Sequence, residues 1–397
     1  MLERIYTPLK NTWDVIVCGG GVSGVAAAVQ AARSNAKTLL LEKTVSLGGL
    51  ATNGLIAWFE PICDGNGQRM MNGMALELFQ MAVKNGPHTL AKSWIGFPDK
   101  VKDQARCCSF FSPMLFSMAL DSWVLDAGVT LALDTLIVRP IVKNGYIKGV
   151  ITEDKDGRSY HTAKVIIDAT GDGDIISRCG LPYEEGRNYL TYISYEVNET
   201  TCAHAIKTGN MLYSRRWHKI GANLWGEGHP KGERFYYGIS AANVTEFMLK
   251  GRAHLMEQLR EQPVMKRDIT NLPYLPQFRM TRRLKGAFEL QETHCGQYFA
   301  DSIGVAVDFF NRGHIYEMPI RMLYSESLDN LLAAGRTVSS TGWAWEVTRV
   351  IPVAIATGQA AGCVAAQMVR NGVGAKQLKV ADVQEDLLHA GVRLHIN

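Results

Sequence analysis

The chain has 397 residues, 47% apolar and 20% charged, with a formal net charge of +4. That is the composition of an ordinary folded protein with material for two or three domains of ~150 residues. The small charge gives no ground for a nucleic-acid partner, and no apolar run approaches the ~20 residues of a membrane span, so no membrane partner is expected.

Cysteines 18, 63, 107, 108, 179, 202, 295 and 363 form no C-x-x-C pair and no metal-ligand spacing. No metal, no disulfide-reductase centre and no iron–sulfur cluster within this chain are therefore expected. The vicinal Cys107-Cys108 pair is read as two buried thiols in preference to a redox disulfide. The stretch MLERIYTPLKNTW has no signal-peptide core, which makes a cytoplasmic enzyme the default.

Val15 to Cys18 is a short apolar run with β-branched residues, suited to a buried strand. Gly19-x-Gly21-x-x-Gly24 follows at once, then the small, helix-forming run Val25 to Arg33. Strand, glycine turn and helix in that order are the context of a dinucleotide-binding turn. Gly19 permits the tight turn, Gly21 lets backbone approach a pyrophosphate, and Gly24 lets helix and strand pack closely. The helix N-terminus offers free amides to phosphate. A second strand, Thr38 to Leu41, ends in Glu42, an acid placed to accept from ribose hydroxyls. A second glycine loop, Gly48 to Gly54, follows and predicts another close backbone approach to a ligand.

Met70 to Val83 reads as an amphipathic helix and Trp94 to Asp99 as an exposed turn. Pro113 to Asp126 has Ser112 before it and Gly128 behind it, the start and stop of a helix. Val129 to Leu133 reads as a strand. Thr135 to Val142 and Tyr146 to Glu153, with turns at Asn144-Gly145 and Asp156-Gly157, form a β-meander. Val165 to Thr170 is another buried strand, running into Gly171-Asp-Gly173-Asp174.

From 181 to 325 the character changes to aromatics, Arg and His, with strand-like runs at Tyr189 to Val197 and Phe235 to Ile239 and a helix over Ala241 to Glu261. Phe278 to Gly286 carries four basic side chains, as a solvated edge strand or as a clamp on an anion. Leu331 to Arg336 then reads as strand and turn, and Pro352 to Val369 as a helix rich in Ala and Gly. The fold class is α/β. A Rossmann-like parallel sheet with helices and a β-meander spans 1–180 and 326–397, and an α+β substrate domain is inserted over 181–325.

Taken together, DVIVCGGGVSG (14–24), LLLEK (39–43), GGLATNG (48–54), VIIDATGDGD (165–174), FRMTRRLKGAFELQE (278–292) and the long 330–362 run resemble the FAD-dependent oxidoreductases of the glutathione-reductase-like flavoprotein superfamily. The resemblance covers nearly the whole chain and implies FAD as cofactor. It places Gly19, Gly21, Val22, Ser23 and Gly24 on the pyrophosphate, Glu42 on the ribose and Lys43 at the adenine side. Gly48, Gly49, Ala51 and Thr52 would line the run towards the flavin. Ile137 would touch adenine through its backbone, and Ala169, Thr170 and Gly171 would pass under the adenosine end. Gly335 and Arg336 would follow the ribityl chain, with Arg349 and Val350 at the pyrimidine ring.

Ser46 and Leu47 stand where covalent-flavin relatives carry a histidine, so the FAD is expected to be non-covalent. No second GxGxxG unit is present, so the substrate itself would exchange the hydride with flavin N5. The expected reaction is hydride transfer with a CH–OH or CH–CH group of a small polar substrate. His314 or His294 is the candidate base, and Arg282 with Arg283 the candidate carboxylate clamp. Trp58, Trp225, Trp343 and Trp345 are candidate stacking groups. The alternative is a non-enzymatic electron carrier or redox sensor, against which the large insertion argues. A homo-oligomeric state is left open.

Overall fold

The computed structural model describes residues 6–397. Residues 1–5, the start of the amino-terminal stretch inspected for a leader, lie outside them. The main sheet orders its parallel strands Leu328–Ala333, Gly157–Asp168, Leu9–Cys18, Thr38–Leu41 and Thr130–Ala132, with the short Tyr324–Ser325 strand antiparallel at one edge. Val15, Ile16 and Val17 are wholly buried, as a central strand covered on both faces requires. This strand begins at Leu9, six residues before the apolar run. Its exposed first half pairs with Tyr160 to Thr162.

The helices are α1 (Val22–Arg33), α2 (Gly73–Lys84), α3 (Pro113–Asp126), α4 (Asp174–Arg178), α5 (Glu199–Thr208), α6 (Ala241–Arg260), α7 (Gly342–Thr348), α8 (Ile351–Asn371) and α9 (Val380–His389). α1 and α8 cross at a seam of small residues. A Cβ on Gly358 would lie 2.1 Å from the Ser23 carbonyl oxygen, and one on Gly362 2.3 Å from that of Ala27. α8 is the one described helix long and apolar enough, at a mean hydropathy of 1.2, to cross a membrane. No such run is expected from the sequence, because the apolarity of this helix comes from alanine rather than leucine. Of its most apolar 18-residue window, 94% is buried inside the protein.

The meander strands are Leu136–Lys143 and Tyr146–Asp154. Asn144 and Gly145 both take positive φ (54° and 73°), the geometry of a tight hairpin turn. The buried Val165 run is the end of a longer strand, Gly157–Asp168, that starts directly at the Asp156-Gly157 turn of the meander. That strand is antiparallel to Tyr146–Asp154 and then parallel to Leu9–Cys18.

Thr191–Asn198 pairs antiparallel with Arg216–Gly221 and Arg267–Asn271. Small cores of its own hold this region: Leu190, Tyr236, Phe247 and Phe278 in one, Tyr192, Ile220, Leu255 and Leu259 in the other. Residues after Phe278 behave differently from the expected insertion. The Ser302–Val307 and Ile315–Pro319 strands of one hairpin are buried along their whole length and belong to the main core.

Two local expectations fail. Phe235 to Ile239 forms only the single bridge Tyr236–Asn188. The Asn243 side chain takes the N–H groups of Tyr237 and Gly238, and Gly238 turns at φ 71°. Trp94, assigned to an exposed turn, is fully buried, and its Nε1 donates to the Ala105 carbonyl at 2.7 Å.

Candidate functional site

Four parallel strands end in register at Cys18, Leu41, Asp168 and Ala333. A cleft opens beyond these carboxyl ends, beside the central strand where the chain switches sides of the sheet. That is where open α/β sheets bind ligands.

Gly19 leaves the first strand at φ 105°, with its Cα side only 2.5 Å (as a Cβ) from the Ala169 carbonyl oxygen. A Cβ on Gly24 would fall 1.8 Å from the Gly19 oxygen, so only glycine lets α1 seat on the strand. Gly21 is different. A Cβ there meets nothing within 4 Å, because it faces the cleft. Gly21 is also the N-cap of α1 and supplies no side-chain cap. Val25 N–H is bonded to Gly21 at 2.9 Å, and the preceding amides form the uncapped end that anions favour. The second glycine loop is pressed onto this turn: Gly48 N–H donates to Gly20 at 2.8 Å, and a Cβ on Gly49 would come within 2.9 Å of Gly21 Cα.

Glu42 is buried at the cleft wall. Its Oε2 accepts the Gly20 N–H at 2.6 Å and its Oε1 the Thr44 N–H at 2.8 Å, which leaves acceptor capacity on both oxygens. Asp168 lies beneath the opposite loop. It accepts from Thr170 Oγ1 (2.7 Å), Thr170 N (3.1 Å), Ile175 N (3.0 Å) and Ile176 N (2.9 Å). Burial raises its pKa, while these donors oppose the shift. The acid thereby fixes the Ala169–Gly171 loop and the start of α4. Arg336 ties that loop across the cleft, to the Gly171 carbonyl and to Asp172 at 2.6 Å.

Gly19, Gly21, Val22, Ser23, Glu42, Lys43, Gly48, Gly49, Ala51, Ala169, Thr170, Gly171, Arg336 and Arg349 all line this one cleft. Ile137 borders an adjoining hollow that shares Gly19, Glu42, Lys43 and Thr170. Its carbonyl is occupied by Arg178 Nη1 at 2.7 Å. Gly24, Thr52, Gly335 and Val350 lie behind the surface. Thr52 Oγ1, for example, turns inward to the Leu47 carbonyl at 2.7 Å.

The expected chemistry-bearing residues do not join them. His314 is exposed in the turn of the Ser302–Pro319 hairpin, and His294 Nδ1 accepts the Gln291 N–H in a short turn. Arg282 is committed to the Asp172 carbonyl (3.1 Å) and Asp174 (3.2 Å), with Tyr183 beneath it. Arg283 is buried against Glu289 and Trp345. The clamp is therefore structural, and the solvated-edge alternative also fails, since Thr281, Arg283 and Leu284 are all buried. Cys107 and Cys108 are free thiols. Burial pushes the Cys107 thiol well up and that of Cys108 to about 11, which disfavours the reactive thiolate.

At the far end of the cleft the sequence points to Arg349 and the start of α8 but not to the facing lining or to Glu60. Leu275 and Pro276 line this end opposite Arg349, Ile351 and Ala354 at the start of α8. Glu60 Oε2 accepts the Ile351 N–H there at 3.3 Å. Burial drives the Glu60 pKa up to about 7, against the pull of its own backbone N–H, Arg349 and Ile351. A lone Glu-Pro step among aromatics gives no periodicity or spacing by which to find it.

The sheet, the glycine turn and the acid in register with it define a dinucleotide-binding α/β protein. The chain belongs to the FAD dependent oxidoreductase family, whose model matches residues 14–237 and 234–387. Its cofactor is accordingly FAD. A thiamine thiazole synthase of Methanococcus vannielii is 25% identical over 173 residues, 41% of this chain and 58% of that protein. A protein of Dictyostelium discoideum named as a bifunctional amine oxidase is 48% identical over 46 residues, 12% of this chain and 4% of its own length. This chain thus spans little more than half of one of these relatives and a small fraction of the other. The structure of p-nitrophenol 4-monooxygenase from Pseudomonas putida superposes at a TM-score of 0.51 with 13% identity, over 96% of this chain and 89% of that one. That likeness is one of fold.

Proposed function

We propose that the cleft holds FAD without a covalent bond, and that the chain transfers a hydride between this FAD and a CH–OH or CH–CH group of a small polar substrate. The observation that supports this most is the single cleft joining the uncapped α1 N-terminus and Glu42 at one end to the α8 N-terminus at the other. The amides after Gly21 would meet the pyrophosphate, Glu42 the ribose, and Lys43 with Ile137 the adenine side. Gly48, Gly49 and Ala51 would follow the chain towards the ring. The antiparallel meander feeding the Gly157–Asp168 strand supports a place among the glutathione-reductase-like flavoproteins.

When bound, the flavin supplies hydride exchange at N5. Arg349 and the positive end of the α8 dipole would stabilise negative charge beside it. Glu60 would take the proton that a substrate hydroxyl gives up, at a carboxylate oxygen whose pKa lies near neutrality, where general-base catalysis works best. We read the chain as a cytoplasmic protein acting on a small molecule, with no nucleic-acid or membrane partner.

The test is an absorbance spectrum of the purified protein, then of the supernatant after heating. Bands near ~370 and ~450 nm that leave with the supernatant are expected. The longer band should bleach anaerobically with one class among sugars, polyols, hydroxy acids and dicarboxylates. A colourless protein that takes up no added FAD overturns the reading.

A further inference from the structure

Around the cleft, arginines are matched to acids: Arg282 to Asp174, Arg283 to Glu289, Arg336 to Asp172 and Arg349 to Glu346. Arg279 is not. Among the described residues it has no carboxylate within ion-pair distance, and its one side-chain hydrogen bond runs from Nη1 to the Asn223 carbonyl at 3.3 Å. Desolvation and the nearby Arg349 lower its pKa to about 10, Glu346 notwithstanding. Lys219 also feels Arg279, after its own desolvation, and has no acid partner among the described residues. A half-desolvated cation beside like charge is costly unless an anion completes the set.

The backbone that carries Arg279 is a wall of the cleft. Leu275 and Pro276 line it, and the Phe278 carbonyl accepts from Arg336 Nη1 at 3.1 Å. Asn188 Oδ1 pins this wall by accepting the N–H groups of Arg279 (2.8 Å) and Met280 (3.0 Å). Asn223 also receives the Trp225 N–H on its Oδ1, and Trp225 stacks on Trp343 of α7 at 5.6 Å and 4°. Trp343, Glu346 and Arg349 recur every three residues, so they share one side of that helix and its end.

We propose that Arg279, with Arg349 nearby, anchors the carboxylate of the substrate, which makes that substrate a small organic acid and not a neutral sugar or polyol. The proposal rests on the reading that FAD occupies the cleft. The planar guanidinium offers two parallel donors to a carboxylate, and Arg349 adds charge from the α8 side.

The test uses oxalate, which has no C–H bond to oxidise, with its neutral diamide, oxamide, as the control. Each is titrated into the FAD-loaded protein by calorimetry, and the flavin absorbance is followed in parallel. Oxalate should bind and oxamide should not. Arg279→Gln should weaken oxalate at least tenfold at unchanged FAD content and melting temperature, and Arg279→Lys should recover part of the loss. Equal binding of oxamide, or unaltered oxalate affinity in Arg279→Gln, overturns the proposal. If Arg279→Gln does not fold, Lys219→Gln serves: a two- to threefold weakening supports the site, and no change overturns it. Yellow protein indifferent to oxalate defeats the anchor and leaves the flavin reading intact. Colourless protein that binds oxalate through Arg279 does the reverse.

Discussion

At the scale of single residues, the ionisable groups of the site separate into those that hold loops and those free to act. Asp168 spends its oxygens on four donors, and Arg282 is locked to Asp172 and Asp174. Glu60 has one long bond, to Ile351, and a pKa of about 7. If Glu60 is the base, kcat/KM for substrate oxidation rises with pH, tenfold per unit below 7, and levels off above it. Glu60→Gln should flatten that limb and lower the plateau by ~10²-fold or more.

Stability must move the opposite way. The folded pKa lies above the ordinary value of 4.5, so the folded chain holds more protons between the two values. Stability present below 4.5 is lost as pH rises through 7. At pH 8 Glu60→Gln should therefore gain about 1 kcal/mol, a figure reduced for the partial exposure of the side chain. Denaturation at pH 5 and pH 8 checks this. A variant that loses activity and stability together would make Glu60 a structural residue. The thiols give a simpler expectation: Cys202 is the exposed one, so Cys202→Ala should remove the fast phase of thiol labelling.

At the scale of elements, two glycines separate a steric need from a conformational one. Gly358 has room for no Cβ, since Ser23 backbone stands 2.1 Å away, on the turn that bounds the cleft. Gly372 ends α8 at φ 66° with open space around it. Gly358→Ala should cost ~3 kcal/mol or more and reduce FAD retention, because α1 must shift with its N-terminus. Gly372→Ala should cost only ~1 kcal/mol, the left-handed penalty, with FAD retention unchanged. Urea midpoints together with the ratio of flavin to protein absorbance distinguish the two.

The same contrast explains what the sequence made legible. Gly19, Gly21 and Gly24 sit between a buried strand and a helix within eleven residues, so local pattern was enough to recover strand, turn, helix and cleft. α3 was bounded by Ser112, Pro113 and Gly128 and was read to the residue. Glu60 escaped, and Arg279 was one of the four basic side chains of Phe278 to Gly286 but was passed over for Arg282 and Arg283, because the meaning of both comes from residues 289 and 70 positions away, Arg349 in both cases. Phe235 to Ile239 had the alternation of a strand and lost it to one side chain, Asn243. Histidine is the commonest base, but the fold holds His294 and His314 in turns outside the cleft lining.

At the scale of the whole molecule, composition changes near residue 181, but Leu181 packs in the main core and the separate cores run from Leu190 to Phe278. The apolar hairpin from Ser302 to Pro319 looks, as sequence, like the core of any domain, and only packing assigns it to the main body. The region from Leu190 to Phe278 has cores separate from that body, yet its last residues form a wall of the cleft. FAD should therefore stabilise the molecule unevenly. At a hundred times its Kd, a ligand adds ~2.7 kcal/mol to every opening that destroys its site. Openings of the main sheet destroy the glycine turn and should gain this protection in full. Openings of Thr191–Asn198 within the separate cores leave the glycine turn intact and should gain less, whereas the Leu275–Arg279 wall should respond with the main body. Hydrogen exchange with and without FAD measures this directly. The expected map protects Gly19–Gly24, Gly48–Thr52 and 275–279 strongly and Thr191–Asn198 weakly. Uniform protection would mean that the two sets of cores open as one unit, so that ordering of the cleft is felt equally throughout the chain.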